Sequence, residues 1–202
     1  GILRNLHHAQ VNHIILLTDG RTYGDEEKCM NLARRAAEQG IGISGLGIGT
    51  EWNDGFLDDL AKCTGGSSMY VSRPKDIQKM LMEKFTSLGN TYAEENRLDF
   101  AIPEGIELRY AFRLQPEAGL LSFASPMMLG PIVRDTTLRV LMEFVVQPQP
   151  LEKNEMTLLD GKLTVTLTDE HTPRMPIPIN LNRQYSNEAS TDIPSAEIVE
   201  AL

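Results

Sequence analysis

Apolar and polar positions follow one rhythm in the first half of the chain and another in the second, and the change falls near residue 94. Before it, short continuous apolar runs alternate with segments of helical spacing. Residues 13–19, HIILLTD, form a run rich in Ile and Leu, the mark of a strand buried on both faces. Residues 26–39 read as an amphipathic helix with Cys29, Leu32, Ala33 and Ala36 on one face and Gly40 as its stop. IGISGLGIG, 41–49, predicts a second buried strand whose glycines admit a closely packed helix. A short helix over 53–66, ended by Gly65 and Gly66, leads to a third strand over 67–72. Pro74 then suits the first turn of another helix, with Ile77, Leu81, Phe85 and Leu88 as its apolar stripe. Strand-helix alternation implies parallel strands joined by right-handed crossovers. Three strands fall short of the five or six usual in a doubly wound sheet. The opening GILRNLHHAQ reads as the end of a preceding helix, and the chain therefore as a piece of a longer protein.

Beyond residue 94 the period becomes two. Ile106, Leu108, Tyr110, Phe112 and Leu114 alternate with Glu107, Arg109 and Arg113, which are expected to face water. Leu138, Val140, Met142, Phe144 and Val146 repeat the pattern, as do Leu163, Val165 and Leu167, set against threonines. Ile177, Ile179 and Leu181 share one face of PIPINLN, whose prolines put that strand at an edge. Such alternation, with Pro and Gly turns between runs, predicts an antiparallel β-sandwich. The expected organisation is an α/β unit over 1–92, built on a partial, Rossmann-like, doubly wound parallel sheet, and an all-β antiparallel sandwich over 93–186. A tail over 187–202 follows, in which Ala196, Ile198, Val199 and Leu202 begin an amphipathic helix.

Charge and composition narrow the functional classes. The net charge of -9 comes with no basic cluster, which argues against nucleic acid and against an anionic membrane surface. No apolar run is long enough to span a membrane as a helix. Cys29 and Cys63 match no zinc spacing and are expected as buried free thiols.

Asp19 is the residue with the clearest chemical promise. An aspartate at the carboxyl end of a central parallel strand lies where open α/β sheets bind ligands, and Gly20 lets the backbone turn after it. A carboxylate there suits a hard cation such as Mg²⁺, although Thr-Asp-Gly also caps ordinary turns. The segments IILLTDG, GISGLGIGT and FLDDLAKCTGGSSMYV, with a helix ending in EKF, resemble the C-terminal half of a von Willebrand factor type A domain. The resemblance covers roughly residues 10 to 90, and the β-strands after it resemble the sandwich that follows such domains in bacterial multidomain proteins. It implies a metal-ion-dependent adhesion site on top of the sheet. In that family three loops build the site: Asp-x-Ser-x-Ser, a Thr, and the Asp that matches Asp19, here supported by Thr18 and Gly20. The metal keeps an open position for an acidic side chain of a protein partner. No Asp-x-Ser-x-Ser occurs in this chain, and one carboxylate does not hold Mg²⁺ well. Mg²⁺ is thus expected for the longer protein and is weak or absent here. The resemblance also puts the 13–19 strand at the centre of a complete sheet. Without the first half it becomes an apolar edge, so pairing of two copies through residues 13–19 is expected, unless the N-terminal stub covers them.

Other candidates are weaker. Asp25, Glu26 and Glu27 open a helix, where negative charge favours the dipole, or rim the metal site. Glu51, Asp54, Asp58 and Asp59 admit the same two readings. Trp52, on a loop expected at the top face, is a candidate partner contact together with Glu51 and Asp25, or else packs over its own helix. His7, His8, His13 and His171 fit no zinc pattern and are expected to be solvated or to cap helices. GLGIGT lacks the third glycine and the acidic residue of a dinucleotide loop. The resulting expectation is a non-enzymatic protein-interaction module, cytoplasmic or else extracellular. The alternatives are a Mg²⁺-dependent phosphoryl-transfer domain using Asp19, and a structural module with a degenerate metal site.

Overall fold

The computed structural model describes residues 11–19, 24–49, 53–148, 155–168 and 176–185. The first half is a three-stranded parallel sheet in the order β1-β2-β3, from β1 (His13–Thr18), β2 (Gly42–Ile48) and β3 (Ser68–Val71). Helix α1 (Glu26–Ala37) connects β1 to β2, and α2 (Asp54–Thr64) connects β2 to β3. Ala33 and Ala36 of α1, Leu57 and Leu60 of α2, and Ile41 and Ile43 beside and within β2 form one buried core. Ile14 and Leu16 of β1 pack against it. The expected closeness of helix to glycine strand is met at Gly45, where an added Cβ would touch Leu57 at 3.0 Å. Asn53 caps α2 by accepting from the Phe56 N–H at 3.1 Å, and Gly65 ends it at φ +70.

A 3₁₀ turn over Pro74–Asp76 leads into α3 (Ile77–Gly89), and β4 (Thr91–Ala101) follows almost directly. The second half is two antiparallel sheets. One runs β11-β10-β4-β7, with β8 also on β4, and contains β7 (Met127–Met128), β8 (Ile132–Val133), β10 (Glu155–Leu167) and β11 (Ile177–Gln184). The other runs β6-β5-β9, from β5 (Ile106–Gln115), β6 (Gly119–Leu120) and β9 (Arg139–Val146). Leu98, Leu108, Ala111, Leu121, Met127 and Leu129 form the core they share, flanked by Leu138, Val140, Met142, Phe144, Leu163 and Ile179. Among the described residues strand β11 pairs only with β10, at the edge expected from its prolines.

Three expectations need correction. In β5 the strict alternation breaks. The register against β9 slips between Leu108 and Tyr110, and this bulge turns Ala111 and Arg113 inward after Leu108. Arg113, expected to be wet, is 1% exposed, while Tyr110 and Phe112 stack on each other with ring centroids 6.1 Å apart. In α3 the expected apolar stripe holds in part: Ile77, Leu81 and Leu88 are partly buried, but Phe85 is 57% exposed. The most buried side chain of the helix is Lys84, which shares their face and turns to the carboxylate of Glu117. Cys29 and Cys63 are free but only partly buried, at the margin of the first core. The 187–202 tail lies outside the described residues.

Candidate functional site at the carboxyl ends of the strands

Strand β1 delivers Asp19 to the end of the parallel sheet. Ile14 and Leu16 are anchored in the core, and the chain bends at Asp19, which is exposed. Thr18, the last residue of β1, is partly buried. Gly20, Glu51 and Trp52 lie outside the described residues. Asp25 stands just before α1. It makes no side-chain cap and instead pairs with Lys28 at 2.9 Å, with both side chains largely in water. Glu26 accepts a hydrogen bond from Asn53 Nδ2 at 3.3 Å, so the starts of α1 and α2 meet above the sheet. That contact brings the segments after β1 and β2 to one surface, the carboxyl-terminal face on which open α/β sheets carry ligands. The sequence pointed to this face, but no short-range signal pairs Glu26 with Asn53. Asp54 bonds to the Gly55 N–H, and Asp59 pairs with Lys62, so both serve α2 itself. Asp58 bonds to Ser68 at the start of β3.

Mg²⁺ requires several oxygen ligands in near-octahedral array. Among the described residues, no group of three His, Cys, Asp or Glu side chains is close enough to hold a metal ion. Asp19 and Thr18 by themselves do not fit that ion.

A second polar cluster, which sequence reasoning missed, lies between the two halves. His13 Nε2 shares a hydrogen bond with Ser44 Oγ at 2.9 Å, and Ser44 Oγ lies 3.2 Å from Ser67 Oγ. Lys84 Nζ donates to Ser67 Oγ at 3.2 Å and to Glu117 Oε2 at 2.5 Å. His13, expected as solvated or capping, is instead partly buried and hydrogen-bonded to Ser44. Burial, with the positive charges of Lys84 and Arg113, holds its pKa down at about 3 against the pull of Glu117, so the ring is neutral. Burial also lowers Lys84, partly offset by Glu117. Burial alone would raise Glu117, but Lys84, a hydrogen bond from Ser67 and Arg113 together outweigh it and leave the carboxyl below its usual range. His7, His8 and His171 lie outside the described residues.

No protein-family profile matches the chain. An uncharacterised protein of the cyanobacterium Synechocystis, sll0103, is 32% identical over 82 residues, which is 40% of this chain and 20% of that protein. Among solved structures, a von Willebrand factor type A protein from Catenulispora acidiphila superposes with a TM-score of 0.65 at 16% identity, over 92% of this chain and 45% of that one. The human COPII-coat protein Sec24c superposes with a TM-score of 0.50 at 15% identity, over 84% of this chain and 26% of that one. The fold is therefore that of von Willebrand factor type A proteins, with antiparallel sheets beside the parallel one. The chain spans a fifth of the cyanobacterial relative and less than half of the Catenulispora chain.

Proposed function

We propose that this chain is part of a protein-interaction module in which Asp19 supplies one carboxylate of a Mg²⁺-dependent binding site. The remaining oxygen ligands would come from sequence outside this chain, and an acidic side chain of a protein partner would complete the coordination. The observation that carries the reading is the exposed Asp19 at the carboxyl end of an anchored parallel strand, on a fold shared with von Willebrand factor type A proteins. The test is calorimetric titration of Mg²⁺ and Mn²⁺ into this chain and into one extended upstream by about 100 residues, a typical domain length. Binding is expected only in the longer chain and is lost in Asp19→Ala. Metal binding that survives Asp19→Ala refutes the assignment. Binding by neither chain favours a structural module.

A second reading concerns β1, which among the described residues pairs with β2 on one edge and with no strand on the other. Leu17 is 46% exposed on it. Two copies joined through residues 13–19 would hide that edge. Sedimentation equilibrium of the parent and of Leu17→Lys tests this: a concentration-dependent dimer is expected in the parent and a monomer in the variant. A parent that stays monomeric at high concentration excludes it.

A further inference from the structure

Among the described residues the buried apolar side chains form two separate clusters. One cluster is made by α1, α2 and the parallel sheet, the other by the two antiparallel sheets. Between them lie buried polar side chains: Ser44, Ser67, Lys84 and Arg113. Arg113 is the centre of this layer. Its Nη1 donates to the carbonyls of Gly65 at 2.8 Å and Leu129 at 2.7 Å, its Nη2 to Gly66 at 2.8 Å, and its Nε to the backbone carbonyl of Glu117 at 2.7 Å. Gly65 and Gly66 are the two residues after α2, so a guanidinium from the sandwich sits on the negative end of that helix.

The receiving turn is shaped for this. Thr64 Oγ1 accepts from the Ile43 N–H at 2.9 Å and ties the helix end to β2. A Cβ on Gly66 would collide with the Ile43 carbonyl oxygen. A Cβ on Gly130 would collide with Arg113 and with the Gly65 carbonyl. Thr64-Gly65-Gly66 thus presents two carbonyls outward because no side chain fits there. Lys84, the buried residue of α3, adds the second strut by reaching Glu117 two residues beyond the end of β5.

We propose that Arg113, Lys84 and Glu117 form a buried polar latch, received by the Thr64-Gly65-Gly66 turn, that locks the sandwich to the α/β unit as one rigid body. Arg113 is its positioning residue. A fork of fixed planar donors reaching four carbonyls, two on the turn after α2 and two on the antiparallel half, sets an orientation, which apolar contact alone does not. The latch fixes where the sandwich stands relative to the strand that carries Asp19, so a partner meets one composite surface instead of two independent ones.

The test uses spin labels at Arg35→Cys on α1 and Glu107→Cys on β5, with Cys29 and Cys63 replaced by Ser, and reads the distance distribution by pulsed electron resonance. The parent is expected to give one narrow peak. Arg113→Lys, which keeps the charge but loses the fork, broadens it or adds a second peak while circular dichroism stays native. Glu117→Gln, which leaves Lys84 without its counter-charge, does the same by the other strut. A narrow, unshifted peak in both folded variants overturns the proposal. Loss of the whole fold in both overturns it too, because the cluster would then belong to a core common to both halves and not to a joint.

Discussion

Replacing His13 by Gln isolates one buried titration. The folded protein holds His13 neutral with a pKa of about 3, against 6.5 for an ordinary histidine. A base whose pKa is lowered on folding contributes its full stability above pH 6.5 and loses it as the pH falls toward 3, since only the unfolded chain takes up the proton. At pH 5 the loss relative to neutral pH is about 2 kcal/mol, from about 1.4 kcal/mol per pH unit below the unfolded value. The ring is only partly buried in surface terms, so this is a ceiling. Urea unfolding at pH 7 and pH 5 of parent and variant measures it, because carboxylate titration, including that of Glu95 raised by burial, is common to both. With a urea slope of about 2 kcal/mol/M, the parent midpoint should fall by up to about 1 M more than that of His13→Gln. Gln removes the titration and keeps a polar group beside Ser44. The other histidines contribute equally to both proteins. Equal losses in parent and variant would show that His13 is open to protonation in the folded state and would falsify the reading of a neutral ring in the polar cluster.

Four further outcomes follow from the same geometry. Gly66→Ala drives a methyl into the Ile43 carbonyl and should cost about 1–3 kcal/mol or more, read as a lower thermal midpoint. Asp19→Ala should leave the stability of this chain within about 0.5 kcal/mol, because the side chain is exposed, while abolishing metal binding in the longer protein. Phe85→Asp removes an apolar group that is 57% exposed, so folding should survive while any self-association measured by light scattering declines. Glu117, held below its usual range, stabilises the fold above about pH 4.3, and this contribution disappears as acid protonates it. Glu117→Gln should therefore flatten the acid limb of the stability curve.

The elements that were legible in the sequence are those whose burial is decided by near neighbours. HIILLTD and IGISGLGIG read as strands because an unbroken apolar run has no other stable placement beside two amphipathic helices, and both occur where expected. Gly65 reads as the end of α2 because a glycine stop is local. Arg113 was hidden because one extra residue between Leu108 and Tyr110 reverses the parity from Tyr110 to Arg113, before a second slip ahead of Gln115, and a bulge leaves no mark in the hydrophobic pattern. Lys84 was hidden for a different reason. Its helix has a plausible apolar stripe, and only a carboxylate 33 residues away draws the lysine inward. The meeting of Glu26 with Asn53 is likewise a product of topology, joining two segments that each look like an ordinary helix start.

These two hidden residues change how the Thr-Gly-Gly after α2 is understood. At the level of sequence the glycines are a helix stop, and Gly65 at φ +70 does serve as one. A stop alone explains one glycine. The second is explained by the Ile43 carbonyl that lies where its side chain would be, and the two outward carbonyls by the guanidinium that takes them. A helix end without such a donor would leave its last carbonyls to water. Here they are buried, and desolvating them without Arg113 would cost about 1–3 kcal/mol each. Arg113→Met should therefore destabilise this chain by more than Arg113→Lys, since the lysine still offers one donor to that turn. Equal losses would mean that the carbonyls find water in both variants and that the turn, not the arginine, holds the joint.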